Sequence, residues 1–177
     1  MSSALPPLPM TDDSVFTPIP IRWDAVLDLP FGRLGLRCTA ERVLALEYLP
    51  ASTPAQAPAS ALGREVQAQL QAYCHDPDHR FDLPLADAGT AFQRRVWALL
   101  RAIPRGRTLR YGEAAAQLGS AARAVGQACA ANPFAPVVPC HRIVASAGLG
   151  GFAHSTDAQG ELLRIKRWLL QHEGAMA

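Results

Sequence analysis

Short apolar stretches alternate with Pro, Gly and charged residues in the first third of the chain. The segments AVLDLPFGRLGLRC and RVLALEYLP lie between Ile21 and Pro50, and both partly alternate apolar with polar positions. Short, interrupted runs of this kind are typical of strands in a small antiparallel sheet. After a Pro/Ala/Ser connector at residues 51–60, ALGREVQAQLQAYC has apolar residues at helical spacing, at Leu62, Val66, Leu70 and Tyr73.

A polar link that contains proline ends near residue 86, and the pattern beyond it is helical. Thr90 is predicted to cap AFQRRVWALLRAI, whose apolar face comprises Phe92, Val96, Trp97, Leu100 and Ile103. RYGEAAAQLG is predicted to end at Gly119, and Ser120 to cap a third helix, AARAVGQACAA. These two helices, joined by a tight turn, are a candidate helix-turn-helix.

The last predicted helix is GELLRIKRWLLQHEG, with Leu162, Ile165 and Leu169 on one face and Glu173 at its end. Together the elements predict an α+β fold. Residues 21–86 form a small antiparallel-sheet-plus-helix domain, and residues 87–177 form a mostly helical domain with the helix-turn-helix.

The first 20 residues are rich in Pro, Ser and Thr, with neither a basic start nor a long apolar core. We therefore expect a loose tail and not a signal peptide. No run approaches the ~20 apolar residues of a membrane helix. The four cysteines lack the spacing of a disulfide framework, so we expect reduced thiols in a cytoplasmic protein.

The charge is distributed unevenly along the 177 residues. Residues 1–86 hold 6 Arg against 10 Asp and Glu, a net charge of −4, whereas residues 87–177 hold 11 Arg and Lys against 5 Asp and Glu, a net charge of +6. The second half is therefore the part expected to meet a polyanion. Ten of its eleven cations are arginine, which suits phosphate contacts but is also what a GC-rich genome produces.

The run PVVPCHRIV places Cys140 next to His141. A nucleophilic thiol needs a base or cation to lower its pKa, yet adjacent side chains of an extended run point to opposite faces. A sharp turn at Asn132 could bring the pair together, and Glu173 is a candidate for holding the imidazole tautomer. The alternative for Cys140 is a small buried hydrophobe, as expected for Cys38, Cys74 and Cys129.

Two further patterns have competing interpretations. AARAVGQACAA has small residues where a major-groove helix carries base-reading side chains, so Arg123 could enter the base stack from the minor groove. The alternative is tight helix packing with Arg123 as a surface charge. CHDPDH places Cys74, His75 and His79 close together, but without a second cluster this is a weak zinc signal.

Four segments resemble, in order and spacing, the O6-alkylguanine-DNA alkyltransferases, which are also called methylated-DNA–protein-cysteine methyltransferases. The segments are GTAFQRRVWALLRAIPRGRTLRYGEAA, AARAVGQACAANP, PCHRIV and RWLLQHEG. The resemblance covers residues 87–177, with weaker agreement in the predicted strands. It implies a direct, single-turnover repair reaction. The alkyl group of O6-alkylguanine or O4-alkylthymine in duplex DNA passes irreversibly to Cys140 without a cofactor or metal. It also implies a monomer that binds double-stranded DNA through the minor groove and no membrane.

Carried over by position, the resemblance makes Cys140 the acceptor, His141 its base acting through a water, and Glu173 the group that orients His141. Asn132 braces the turn, Tyr111 helps to rotate the nucleotide and protonates the guanine, and Arg123 fills the gap left by the flipped base. The implied DNA-contacting residues also include Ala122, Ala124 and Gly126. The implied substrate pocket comprises Pro139, Val144, Phe152, Ala153, His154 and Ser155.

The chain departs from the family at Ala153-His154-Ser155, where a Gly-Gly pair is usual. If the backbone course is kept, His154 and Ser155 narrow the pocket in favour of methyl groups; if the loop bulges outward, the pocket is wider.

Three other functions compete with repair. They are a lesion-binding relative without an acceptor cysteine, which Cys140 argues against, a cysteine hydrolase that turns over repeatedly, and a transcription regulator.

Overall fold

A three-stranded antiparallel sheet opens the described part of the chain, which in this computed structural model comprises residues 22–153, 155–157 and 159–176. Its strands, β1 (Ala25–Leu29), β2 (Gly32–Cys38) and β3 (Val43–Leu49), lie in the order β1-β2-β3. Two residues connect β1 to β2, because Leu29 pairs with Gly32. The predicted tail, residues 1–20, lies outside the described residues.

Helix α1 (Ala61–His75) follows the sheet and packs against β1 and β2. It begins where the Ser60 side chain accepts a hydrogen bond from the Gly63 amide, a standard way to satisfy a free helical N–H. Its buried face comprises Gly63, Val66, Leu70 and Tyr73. Tyr73, near the C-terminal end of this helix, contacts Glu173 at the end of the last helix.

Helix α2 (Ala91–Ala102) starts at the predicted cap, where Thr90 and Gln93 form a reciprocal capping box. Val96, Trp97 and Leu100 form its buried face. The Trp97 indole donates a 2.8 Å hydrogen bond to the backbone carbonyl of Ala128. This bond connects α2 to the helix that contains Ala128, the second helix of the helix-turn-helix described next.

Helices α3 (Tyr111–Leu118) and α4 (Ala122–Ala130) pack together as the helix-turn-helix. Gly119 ends α3 in the left-handed conformation, as predicted. The predicted cap of α4 was wrong, because the cap is Ala121 and makes no side-chain hydrogen bond. The Ser120 amide instead donates to the carbonyl of Ala115, so Ser120 belongs to the closure of α3.

The remaining elements bring the end of the chain back to the middle. Strands β4 (Leu109–Arg110) and β5 (Ile143–Val144) pair in parallel, and helix α5 (Glu161–His172) completes the fold. The fold is α+β, as predicted: a three-stranded sheet with one helix, then a helical part. No helix in the described ranges is long and apolar enough to cross a bilayer.

One apolar core runs through both halves of the described chain, from the sheet to α5. A direct link crosses it where the Leu46 amide of β3 donates a 2.7 Å hydrogen bond to the carbonyl of Pro133. The predicted division into domains near residue 86 stays a prediction. The link at Pro133 means that the N-terminal sheet contacts the turn that leads to Cys140.

Candidate active site

The turn before Cys140 is held by the side chain of Asn132. Its Nδ2 donates to the carbonyl of Val138 at 2.8 Å, and its Oδ1 accepts from the amide of Phe134 at 3.0 Å. The amide of Cys140 donates to that same Val138 carbonyl at 2.9 Å. One asparagine therefore fixes both ends of the loop, which is the bracing expected from the sequence.

Cys140 and His141 lie in a single turn of 3-10 helix, Cys140–Arg142, and not in an extended strand. Of the two possibilities that the sequence left open for PVVPCHRIV, the extended conformation does not occur at Cys140, since the strand begins only at Ile143. Successive side chains of a 3-10 turn are about 120° apart and not on opposite faces. The turn removes the geometric objection to a Cys140–His141 pair.

Glu173, the residue that caps the C-terminus of α5, receives four hydrogen bonds. His141 donates through Nε2 at 2.9 Å and Tyr73 through its hydroxyl at 2.8 Å. Arg142 donates through Nε and Nη2 at 2.8 and 2.9 Å, and through Nη1 to the carbonyl of Ile103. The carboxylate is buried with its charge balanced, as a buried charge requires.

These contacts set the protonation states. Burial raises the pKa of Glu173, but the hydrogen bonds and charges of His141 and Arg142 outweigh it and hold that pKa well below its usual range. Burial lowers the pKa of His141, although Glu173 acts against this. The imidazole is therefore neutral at pH 7. Because Nε2 carries the proton given to Glu173, Nδ1 holds the free lone pair.

Cys140 is 6% exposed. Burial raises the pKa of its thiol above the ordinary value, while the Asn132 amide and the Lys166 ammonium act in the opposite direction. The resting group is consequently a thiol, and a base is needed to generate the nucleophilic thiolate. His141 has the protonation state for that task.

Cys140 lines a cavity of about 490 Å³ that we call the main cavity. Helix α3 contributes Tyr111, and α4 contributes Ala122, Arg123, Gly126, Gln127, Cys129 and Ala130. The far wall consists of Gly151, Phe152, Ala153, Ser155 and Thr156. This wall includes a tight turn, in which Phe152 and Ser155 exchange two backbone hydrogen bonds of 2.8 Å.

A buried lysine supports that wall from behind. Lys166 of α5 is 0% exposed, and its ammonium donates to the carbonyls of Ile143, Leu149 and Gly151 at 2.7, 2.6 and 3.1 Å. The Tyr111 hydroxyl donates to that Gly151 carbonyl at 3.2 Å. Lys166 therefore fixes the segment opposite α4 and brings a positive charge close to Cys140.

Comparison with known proteins shows to which family the chain belongs. Residues 91–175 match the family described as "6-O-methylguanine DNA methyltransferase, DNA binding domain". A methylated-DNA–protein-cysteine methyltransferase of Methanosarcina acetivorans is 36% identical over 159 residues, covering 85% of this chain and 97% of that protein. The chain belongs to the O6-methylguanine DNA methyltransferase family.

The methylated-DNA–protein-cysteine methyltransferase of Salmonella typhimurium is 54% identical over 95 residues, which cover 52% of this chain and 52% of that protein. The matched region thus spans about half the length of that relative. Among solved structures, Mycobacterium tuberculosis O6-methylguanine methyltransferase is similar with a TM-score of 0.69 and 36% identity, over 86% of this chain and 92% of that one. Mycobacterium tuberculosis OGT in complex with DNA is similar with a TM-score of 0.70, at 36% identity over 85% and 91%.

Most residues that the family resemblance singles out lie around Cys140. Among the described residues predicted to contact DNA or to form the substrate pocket, three do not line the main cavity: Ala124, Pro139 and Val144. Pro139 lines a separate cleft that also contains Tyr73, Arg142 and Glu173. His154 lies outside the described residues.

Three side chains at this site were not predicted from the sequence. Arg142 and Tyr73 both donate to Glu173, and Lys166 holds the far wall. Arg142 directly follows His141 in PCHR, so its position was a usable signal. Tyr73 was predicted only as an apolar residue of α1, and Lys166 is a cation on an otherwise apolar helix face. Within the described ranges, no three His, Cys, Asp or Glu side chains cluster closely enough to hold a metal ion.

Proposed function

We propose that the protein repairs O6-methylguanine in double-stranded DNA by moving the methyl group to its own Cys140. The observation that carries this proposal is the placement of Cys140 in the wall of the main cavity, next to a buried His141–Glu173 pair. Family membership supplies the reaction class, methylated-DNA–protein-cysteine methyltransferase.

His141 acts as the base. It takes the thiol proton of Cys140 through a bridging water at Nδ1, the ring nitrogen that Glu173 does not engage. Glu173 accepts from Nε2 and so keeps the imidazole in this tautomer and stabilises the imidazolium that forms. Asn132 and Lys166 stabilise the resulting thiolate, since both lower the pKa of Cys140 against the effect of burial.

The thiolate attacks the methyl carbon in line with the bond to guanine O6. The sulfur–carbon bond forms as the carbon–oxygen bond breaks, and guanine leaves as a neutral base after it takes a proton. Tyr111, which lines the main cavity, is the proposed donor; because burial raises the pKa of its phenol, the phenolate left behind takes a proton back from solvent, which balances the proton that His141 received from Cys140. The thioether has no route back, so each protein molecule acts once.

DNA binding is assigned to the helix-turn-helix. Ala122 and Gly126 of α4 line the main cavity and have almost no side chain, which lets the helix backbone approach a narrow minor groove. Arg123 is exposed at the same cavity and fills the space of the flipped nucleotide. The net charge of +6 on residues 87–177 favours the phosphate backbone.

Three finer features belong to this proposal. The protein acts as a monomer, and it also accepts O4-alkylthymine. It works in the cytoplasm, where its four free thiols would remain reduced.

The experiment that tests the proposal mixes the protein with a duplex containing a single O6-methylguanine. Loss of the modified base should stop when one methyl group has been removed per protein molecule. The matched control is Cys129→Ser, which removes the other cysteine of the main cavity and leaves the acceptor in place. Continued removal beyond one equivalent contradicts the proposal.

A further inference from the structure

Tyr48, in strand β3, ends in a buried hydroxyl. Its ring packs near two others, with centroid distances of 6.1 Å to Phe31 and 5.3 Å to Phe152. The hydroxyl is inaccessible to solvent and has no hydrogen-bond partner in the described part of the chain. Because a buried polar group without a partner lowers stability, a phenylalanine would make the same ring contacts more favourably. Packing therefore does not explain the hydroxyl.

This hydroxyl belongs to the surroundings of the acceptor thiol. Tyr48 and Cys140 line the same cavity, which has a volume of about 350 Å³. Burial raises the pKa of the phenol, and the charges of Cys140, Tyr73 and Glu173 raise it further. The hydroxyl thus lies within electrostatic range of the groups around His141, and it keeps its proton at neutral and moderately alkaline pH.

A second buried polar atom at this site is also unpaired. Nδ1 of His141 has no hydrogen-bond partner among the residues that the structure describes, whereas Nε2 is engaged by Glu173. A water that carries the thiol proton of Cys140 to Nδ1 is bonded by the thiol and by the imidazole. Buried waters in proteins typically make about three hydrogen bonds, so this water needs one more partner.

We propose that the Tyr48 hydroxyl positions the water through which His141 deprotonates Cys140. This inference rests on the proposed function. The hydroxyl donates a hydrogen bond to the water oxygen and keeps its own proton throughout. The water oxygen takes the thiol proton while one of its original protons moves to Nδ1. The water is therefore regenerated as the thiolate and the imidazolium form. Tyr48 is a positioning residue that the N-terminal sheet supplies to the reaction.

Tyr48→Phe removes the hydroxyl and keeps the ring. Rates of transfer from a duplex containing O6-methylguanine are measured for parent and variant from neutral to alkaline pH. We expect the variant to be about three- to tenfold slower at neutral pH, the effect of one hydrogen bond. The difference should shrink as the pH rises, because the thiolate then forms without His141. An unchanged rate, or a loss of the same size at every pH, overturns the inference.

Thermal unfolding separates positioning from a role in folding. Tyr48→Phe loses no hydrogen bond to another part of the protein, so its melting temperature should equal or exceed that of the parent. Tyr73→Phe is the matched control, because its hydroxyl donates to Glu173, and this variant should melt at a lower temperature. A decrease in Tyr48→Phe as large as that in Tyr73→Phe assigns the hydroxyl to folding and overturns the inference.

A double variant tests the coupling to the base. Once His141→Gln has removed the proton acceptor, the position of the water no longer matters, so adding Tyr48→Phe should leave the residual rate unchanged. A further loss of three- to tenfold, with the parent still methylated at Cys140, overturns the role of Tyr48 alone. Failure of the parent protein to methylate Cys140 overturns the proposed function instead.

Discussion

Glu173 accepts a 2.9 Å hydrogen bond from Nε2 of His141, and both side chains are almost completely buried. The contact joins residues 32 positions apart and connects the end of α5 to the turn that contains Cys140. Since burial alone would leave His141 a weak base, the neighbouring carboxylate is the group that restores its basicity.

Replacing Glu173 with Gln should slow methyl transfer by about 10²- to 10⁴-fold, the range that a general base contributes. The glutamine removes the charge that raises the pKa of His141 and permits the wrong ring tautomer. Single-turnover rates on a methylated duplex measure the effect. Tyr73→Phe is the control, because it removes one neutral donor to Glu173 and should change the rate by less than about tenfold. Equal losses in the two variants contradict the assigned role.

The same Glu173→Gln variant should be less stable by about 3–5 kcal/mol at neutral pH, because the charge of Arg142 loses its buried partner. The pKa of Glu173 is depressed in the folded protein, so its contribution is complete above the ordinary carboxyl pKa of about 4.3 and is lost as the pH falls towards the folded value. The stability difference between variant and parent, measured by urea denaturation, should therefore shrink in acid. A pH-independent difference would be inconsistent with this pairing.

Lys166→Met should move the pH dependence of Cys140 alkylation to higher pH. Burial lowers the pKa of Lys166 to about 8, so the ammonium is still charged at neutral pH and favours the thiolate. Removing that charge raises the pKa of Cys140, and more alkaline solution is then needed for the same thiolate fraction. The rate with free O6-benzylguanine is measured across the pH range, with exposed Arg167→Met as the control. A lower rate with an unshifted profile would assign Lys166 a purely structural role.

Arg123→Ala should slow transfer from duplex DNA by about 10- to 100-fold, since flipping a nucleotide costs a few kcal/mol that the inserted arginine partly offsets. Binding to undamaged duplex should change by only about 1 kcal/mol, the loss of one charge. Free O6-benzylguanine needs no flipping and should react at nearly the parent rate. Arg164→Ala removes an equal charge from α5 as the control. Equal losses on duplex and free base would argue against the finger role.

Ala153→Gly should stabilise the protein by about 0.5–1 kcal/mol. Ala153 has φ +46°, a left-handed conformation that costs an alanine ~1–2 kcal/mol and a glycine almost nothing. The gain is reduced because glycine is more flexible in the unfolded chain. Ala131→Gly is the matched control, since Ala131 has φ −80° and should lose stability. Thermal unfolding distinguishes the two, and a destabilised Ala153→Gly would contradict the strain.

Local sequence rules predicted much of the fold. The Thr90 cap, the end of α3 at Gly119 and the apolar faces of the helices depend on neighbours within a few positions. Ser120 was wrongly predicted to cap α4, because the end of α3 and the start of α4 overlap at this residue. Its amide instead closes α3 by donating to the carbonyl of Ala115. The sequence could suggest this capping residue but could not decide which helix it serves.

The site was predictable to the extent that short motifs define it. Cys140, His141 and Asn132 lie within ten positions of one another, and the family resemblance linked them to Glu173. Tyr73 is 100 positions from Glu173, and its hydroxyl reaches the carboxylate only because the C-terminal ends of α1 and α5 meet in the folded chain. Such a partner has no local signature. Lys166 was hidden for a related reason, since its three acceptors are backbone carbonyls that any residue provides.

The central claim is that Cys140 receives the alkyl group and keeps it. Peptide mapping by mass spectrometry, after reaction with excess duplex containing O6-methylguanine, tests this directly. We predict one methyl group per protein molecule, located on the peptide that contains Cys140, and none in a Cys140→Ser variant. A methyl group on Cys129 or another residue, or an unmodified protein that continues to turn over as a cysteine hydrolase would, contradicts the claim.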